Sequence, residues 1–356
     1  MIERAALLSL RFARQGLTHP VEQSAYPALF RLLSPVPTVY WCAPGSPPTL
    51  PLRAAFDDAD WCFRARAARR IVKVRFGGGV SYVAREDLAL FASVYRKTTP
   101  PLALEQYLLA RIEQEGPMTI GQLKELTGMR VKDITPALHK LQEKCLLFED
   151  QCDNEGDRGW YRFQEEFPEV FSTWDRTDVE NEAARRDGIR RLLLRFAEAF
   201  VWFTADMAKS FYKLPAKDVK AGLDALSEDG ALRPADCGQQ SGYMRPADAA
   251  LLEQGGGDAP SGVRLLNRND PLVRAEESRL KGVYAQKGRD MLYTLQIDGE
   301  IGGALLGHFR FGPWEIEDVR VEEPFADRRE EILAAIGAVF SPRESPVQRF
   351  MGQKLP

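Results

Sequence analysis

The stretch PMTIGQLKELTGMRVKDITPALHKLQEKCLLFED, residues 117–150, decides the fold. Thr119 can cap a short helix, IGQLKELTG, which Gly128 closes. VKDITPALHKLQEKCL then turns Ile134, Ala137, Leu138 and Leu141 to one side at helical spacing. Upstream, LALEQYLLARIEQEG aligns Leu104, Tyr107, Leu108 and Ile112 on one face and ends at Gly116-Pro117. Downstream, LLFED and WYRFQ read as strands on either side of the polar loop QCDNEGDRG. Three helices followed by a two-stranded wing is the winged-helix order.

The same order returns at 183–247, where RRDGIRRLLLRFAEAF, TADMAKSFY and PAKDVKAGLDALSEDG are helical, Pro215 opening the last. ALRPADCG and SGYMRPAD make the hairpin, and residues 202–232 align with 117–147 in helix length and apolar spacing. A looser copy fills the first hundred residues. MIERAALLSLRFARQGL, SAYPALFRLL and LRAAFDDADWCFRARAAR read as helices, the Pro-rich SPVPTVYWCAPGSPPTLP as an irregular insertion, and RIVKVRF-GGG-VSYVA as a hairpin with a glycine tip. Beyond the linker LEQGGGDAPSG, GVRLLNRNDPLVRAEESRLKGVY reads as strand and turn. Several antiparallel strands follow, with Asp298-Gly299 as a hairpin turn, and RREEILAAIGAVF closes as a helix. The expected architecture is α+β: three tandem winged helix-turn-helix units (1–100, 101–175 and 176–252) and a small antiparallel β-rich C-terminal domain (258–356).

The 356 residues are 44% hydrophobic and 28% charged, which excludes wholesale disorder and a membrane protein. No apolar run approaches the ~18 residues of a spanning helix. The N-terminus, interrupted by Arg11, reads as an amphipathic helix and not a signal peptide, so a cytoplasmic protein is expected. Five cysteines without a C-x-x-C pair, and scattered His19, His139 and His308, favour neither a disulfide framework nor a metal site, and no cofactor is expected.

The formal charge of −3 argues against a nucleic-acid partner until it is divided. Residues 1–100 hold 14 Lys+Arg against 7 Asp+Glu, and residues 101–175 hold 8 against 15. From Trp61 to Arg85 there is no acidic residue, while Arg64, Arg66, Arg69, Arg70, Lys73, Arg75 and Arg85 are basic. Strand alternation sets Lys73 and Arg75 opposite Val72, Val74 and Phe76. A slim ribbon with basic flanks and a tip of Gly77, Gly78 and Gly79 suits phosphates or a minor groove; an ordinary hairpin with a solvated basic face is the alternative. Lys213, Lys217 and Lys220, at i, i+4 and i+7, gather on one helix face, for phosphate contacts or for solvent.

Taken together, the chain resembles the AlkZ/YcaQ family of winged-helix DNA glycosylases. FARQGL (Phe12 to Leu17) is similar to that family's A-x-Q-G-L phrase, VSYVAREDLALF (Val80 to Phe91) to its hairpin and Asp-Leu helix start, and Phe200 to Leu226 to its third winged helix. LLNRNDPLVRAEESRL (Leu265 to Leu280) is similar to its LxxxDP signature, and LQIDGEIGG (Leu295 to Gly303) to its DG strand pair. The resemblance implies a concave protein embracing double-stranded DNA, alkylated or crosslinked, and metal-free hydrolysis of N-glycosidic bonds. An N-alkylated purine is already a cationic leaving group, so such an enzyme chiefly stabilises oxocarbenium-like charge and positions water.

Where the family carries Gln-x-Gln or Gln-x-Asp, this chain has Ser34, Pro35 and Val36. Val36 can neither activate nor orient water. Gln15, Glu22 and Gln23 are the substitute candidates, with Asp57, Asp58 and Asp60 further off; cap or surface roles compete for each. Ser34 can donate a hydrogen bond or begin a turn before Pro35. Tyr40 and Trp41 can stack on a displaced base or pack in the core. The expectation is a DNA-binding, glycosylase-like protein. A catalytically inactive binder of damaged or structured DNA and a winged-helix scaffold or transcriptional regulator are the alternatives, the last suggested by the acidic second unit.

Overall fold

A computed structural model of the chain describes residues 2–38, 47–77, 79–150, 159–171, 177–254, 260–309 and 314–355. Along the first hundred residues run α1 (Arg4–Arg14), α2 (Tyr26–Leu32), α3 (Asp58–Ala67), the hairpin β1 (Ile71–Phe76) and β2 (Gly79–Ala84), and α4 (Leu88–Tyr95). There follow α5 (Ala103–Glu115), β3 (Met118–Thr119), α6 (Ile120–Thr127), α7 (Val131–Glu143), β4 (Leu147–Asp150), β5 (Gly159–Arg162) and the single turns α8 (Phe163–Glu166) and α9 (Pro168–Phe171). The next stretch holds α10 (Asp178–Phe200), β6 (Trp202–Phe203), α11 (Ala205–Tyr212), α12 (Ala216–Glu228), β7 (Arg233–Cys237), β8 (Gln240–Met244) and α13 (Pro246–Glu253). The last comprises β9 (Val263–Asn267), α14 (Pro271–Tyr284), β10 (Asp290–Ile297), β11 (Glu300–Phe309), β12 (Trp314–Val321), α15 (Arg329–Val339), β13 (Arg349–Phe350) and β14 (Gln353–Lys354).

The elements are mixed α+β, with small sheets ahead of a six-stranded sheet of order β14-β13-β12-β11-β10-β9. Two of the small sheets are alike, in order β3-β5-β4 and β6-β8-β7. In both, a two-residue strand pairs with the second strand of the hairpin. The β1–β2 hairpin has the same companion in reduced form, because Val36 bridges antiparallel to Tyr82 of β2. The beginning of the Pro-rich segment is therefore sheet edge, not irregular insertion.

α10 and α14 differ from expectation because of their caps. α10 begins at Asp178, ahead of the expected Arg185, since Thr177 and Glu180 satisfy each other's backbone N–H groups. α14 occupies what reads as a turn: the Asp270 side chain accepts from the Leu272 N–H at 2.9 Å, and Pro271 takes the first helical position, where its missing donor costs nothing. Asp298-Gly299 makes the expected tight turn, both residues at positive φ.

The second stretch has a core of its own around Leu108, Ile112, Leu123, Leu138 and Trp160. One larger core runs from Phe12, Tyr26 and Phe91 through Phe196 and Phe211 to Leu272 and Leu280 of α14 and Leu306 of the terminal sheet. Thus α14 joins the terminal sheet to the first and third stretches. On the other side of that sheet, Ile297 and Val319 pack with Ile332 and Ile336 of α15. Among the described residues, no helix is long and apolar enough to cross a membrane, and no cluster of His, Cys, Asp and Glu has the makings of a metal site.

Candidate nucleic-acid interface and cleft

The hairpin keeps its two-residue alternation, yet both of its faces are covered. Lys73 is buried, its ammonium 2.8 Å from the carboxylate of fully buried Glu149 on β4. Arg69 reaches Asp150 at 3.2 Å and Glu166 at 2.7 Å, and Arg85 reaches Glu169 at 2.9 Å. Arg66 is buried too, its guanidinium 5.4 Å from the Tyr82 ring centroid. The ribbon is thus not the solvated basic face that its alternation allows, since Lys73 and Arg66 are buried. Lys73 and Arg69 pair with carboxylates of the acidic second stretch, and Arg66 packs on Phe63 and Tyr82 of its own stretch. Arg75 is half-buried, whereas Arg64, paired with Asp60 at 2.6 Å, and Arg70 are exposed.

The tip is not free either. Gly77, at φ +61°, approaches Lys213 so closely that a Cβ would stand 3.0 Å from the lysine's own Cβ. Phe76 stacks on Phe91 and Tyr95. Gly79 faces open space, and Gly78 lies outside the described residues. The expected lysine row is also corrected: Lys213 ends α11 in a left-handed conformation, before α12 begins, so only Lys217 and Lys220 share a helix face, both exposed.

Gln15 is fully buried, donating to the Ala199 carbonyl at 3.1 Å and standing 3.5 Å from Arg53. Arg53, itself buried, grips Asp270 through both Nη atoms, at 2.6 and 3.0 Å. The Q-G-L phrase and the Asp-Pro phrase, far apart in sequence, thus meet through Arg53, and Gln15 braces the core with no access to water. Glu22 and Gln23 are exposed. Asp57 caps α3, and Asp58 accepts from the Tyr26 hydroxyl at 2.7 Å. Ser34 is buried and donates to the Phe30 carbonyl at 2.8 Å, closing α2, while Val36 is buried at the sheet edge. Tyr40 and Trp41 lie outside the described residues.

Beside Pro35 opens a cleft of about 440 Å³, walled by Pro35, Pro37 and Thr38, the hairpin tip, the end of α11, and the start of α14. Arg274 holds its walls together. Buried on α14, it donates to the carbonyls of Pro35 at 2.6 Å and Phe211 at 2.8 Å, and lies 4.1 Å from the Phe211 ring centroid. Burial lowers its guanidinium to about 10 despite nearby Tyr95 and Tyr212, so it stays cationic at neutral pH. The Tyr95 hydroxyl donates to the Tyr212 carbonyl at 2.6 Å, and the Asn269 amide to the Thr38 carbonyl.

Among the described residues one carboxylate lines this cleft, Glu277, three residues beyond Arg274 on α14 and bonded to Lys213 and Lys281. Burial pushes its pKa up, but the two lysine hydrogen bonds outweigh that and hold it below the usual carboxylate value. With Lys213, Arg268 and Arg274, the cleft lining carries three cations and this one anion. Sequence reasoning passed over Glu277, although the signal existed: Asp270-Pro271 is a helix-start pair, and from it Arg274 and Glu277 fall at i and i+3 on one face.

A model of AlkZ-like DNA glycosylases matches residues 64–320. Among solved structures, the chain is similar to Streptomyces sahachiroi DNA glycosylase AlkZ, with a TM-score of 0.63 and 14% sequence identity over 97% of this chain and 98% of that one. At that identity the likeness speaks for the fold. No curated protein matches the sequence.

Proposed function

This chain belongs to the AlkZ-like DNA glycosylase family, and from that we propose that it binds duplex DNA and hydrolyses the N-glycosidic bond of alkylated or crosslinked bases. Its organisation in this reading is three winged-helix units, 1–100, 101–175 and 176–252, with an α+β domain at 258–356. The recurrence of a helix pair followed by a three-stranded wing supports the division. The observation that carries the activity is the cleft beside Pro35. It adjoins the segment where the family's motif falls, its volume lies within the roughly 300–1,000 Å³ of small-molecule sites, and its lining is cationic. A flipped base is of a size for such a cleft.

Lys217, Lys220, Arg64 and Arg70, all exposed, are the cations left to meet phosphates in this reading. A binding-only reading is favoured by a different observation, the burial of Ser34 and Val36, which leaves no motif side chain to act on water. Incubation with duplexes carrying N7-methylguanine or a nitrogen-mustard crosslink decides between them. The enzyme reading expects abasic sites, revealed by alkaline strand cleavage; saturable binding without turnover supports the second.

A further inference from the structure

We propose that Glu277 is the catalytic carboxylate of this protein, acting from α14 in place of the missing motif residues; the inference rests on the glycosylase reading above. Three observations converge on it. Glu277 lines the cleft at whose edge Pro35 stands. Its side chain is only 18% exposed, so its charge acts in a partly dry setting. Lys213 and Lys281 fix its position from opposite sides in sequence, one closing α11 and one a helical turn further along α14. A carboxylate so held remains ionised, which is the state that stabilises a cationic sugar and takes a proton.

The chemistry balances without any co-reactant but water. The C1′–N bond of an N7-alkylated guanine breaks, and its electron pair leaves with the base, neutralising the purine's positive charge. The sugar becomes oxocarbenium-like, with the Glu277 carboxylate opposite that charge. Water adds through oxygen to C1′, and its proton passes to Glu277 and then to solvent, leaving an abasic sugar. Arg274 serves as a positioning residue: it ties Pro35 and Phe211 to the helix that carries Glu277 and so sets the width of the cleft.

The test uses the full chain and a labelled duplex with a single N7-methylguanine, under single-turnover conditions. Glu277→Gln is expected to lower the excision rate by about 100-fold or more while duplex affinity stays unchanged. Lys281→Met removes one of the groups that hold the carboxylate low, so the acid limb of the pH–rate profile moves to higher pH; a purely structural Glu277 would leave that limb in place. Wild-type excision matched by Glu277→Gln would overturn the role of Glu277 and leave the glycosylase reading standing. Absence of excision by the wild type removes both. Should Glu277→Gln fail to fold, as judged by its thermal melt, the Lys281→Met profile decides: a displaced limb supports the proposal, an undisplaced one sinks it.

Discussion

Asp87 accepts hydrogen bonds from two arginines that reach it from different helices, Arg31 at 3.0 Å from α2 and Arg195 at 2.9 Å from α10. Its side chain is 4% exposed, so removing the charge takes the carboxylate from Arg195, itself 16% exposed, while Arg31 keeps Glu86 at 3.2 Å and some access to water. Asp87→Asn should cost about 2–3 kcal/mol, measured by urea unfolding, near the lower end for a broken buried pair because Arg31 is partly solvated. Burial raises the pKa of Asp87, Asp248 and Glu277, but the hydrogen bonds from their cationic partners prevail and hold all three low. The stability they contribute is complete above the ordinary carboxylate pKa of about 4 and is lost as pH falls toward their lower folded values. Unfolding free energy should therefore decline below about pH 4, less steeply in Asp87→Asn than in the wild type. Nothing in the sequence around Asp87 announces this site, since both partners come from elsewhere in the chain.

Hairpin, caps and turns are the level at which the sequence is most legible. Thr119 caps α6 as its place before the helix suggests, with Gln122 returning a bond to the Thr119 N–H, and Gly128 ends α6 in the left-handed conformation. The β1–β2 tip shows where such reading stops. Gly77 and Gly79 are equivalent in the sequence, yet Gly77 has a positive φ and rests on Lys213, while Gly79 has neither constraint. Gly77→Ala should destabilise the fold by about 1–2 kcal/mol through backbone strain and contact with Lys213, lowering the melting temperature. Gly79→Ala should leave the melt unchanged. Equal effects in the two variants would show that the tip does not pack on α11.

Across the whole molecule, the basic first stretch and the acidic second one neutralise each other where they meet, through buried Lys73 and Glu149, half-buried Arg69 with Asp150 and Glu166, and the exposed pair Arg85 and Glu169. A local excess of positive charge is thus no DNA footprint until its partners are located. Replacing Lys217 and Lys220 with Gln should flatten the salt dependence of duplex binding by about one unit of slope per lost phosphate contact. Lys73→Met should leave that slope unaltered and instead cost about 3 kcal/mol of stability, because the carboxylate of buried Glu149 loses the ammonium 2.8 Å away. A flattened slope in Lys73→Met would return the hairpin to the DNA-binding surface.

Much of this protein was determined by sequence alone: the helices and hairpin of the second stretch and their return in the third, the Asp298-Gly299 turn, and the phrases that resemble the glycosylase family. These depend on caps, glycines and apolar periods that act within a turn or two of chain. Tertiary structure decided the rest: that the polar face of β1 meets protein and not solvent, that Gln15 joins Arg53 and Asp270 inside the core, and that Glu277 stands in the cleft beside Pro35. Exposure and ionisation depend on what packs against a side chain from a distant part of the chain, and short-range periodicity carries no record of that partner.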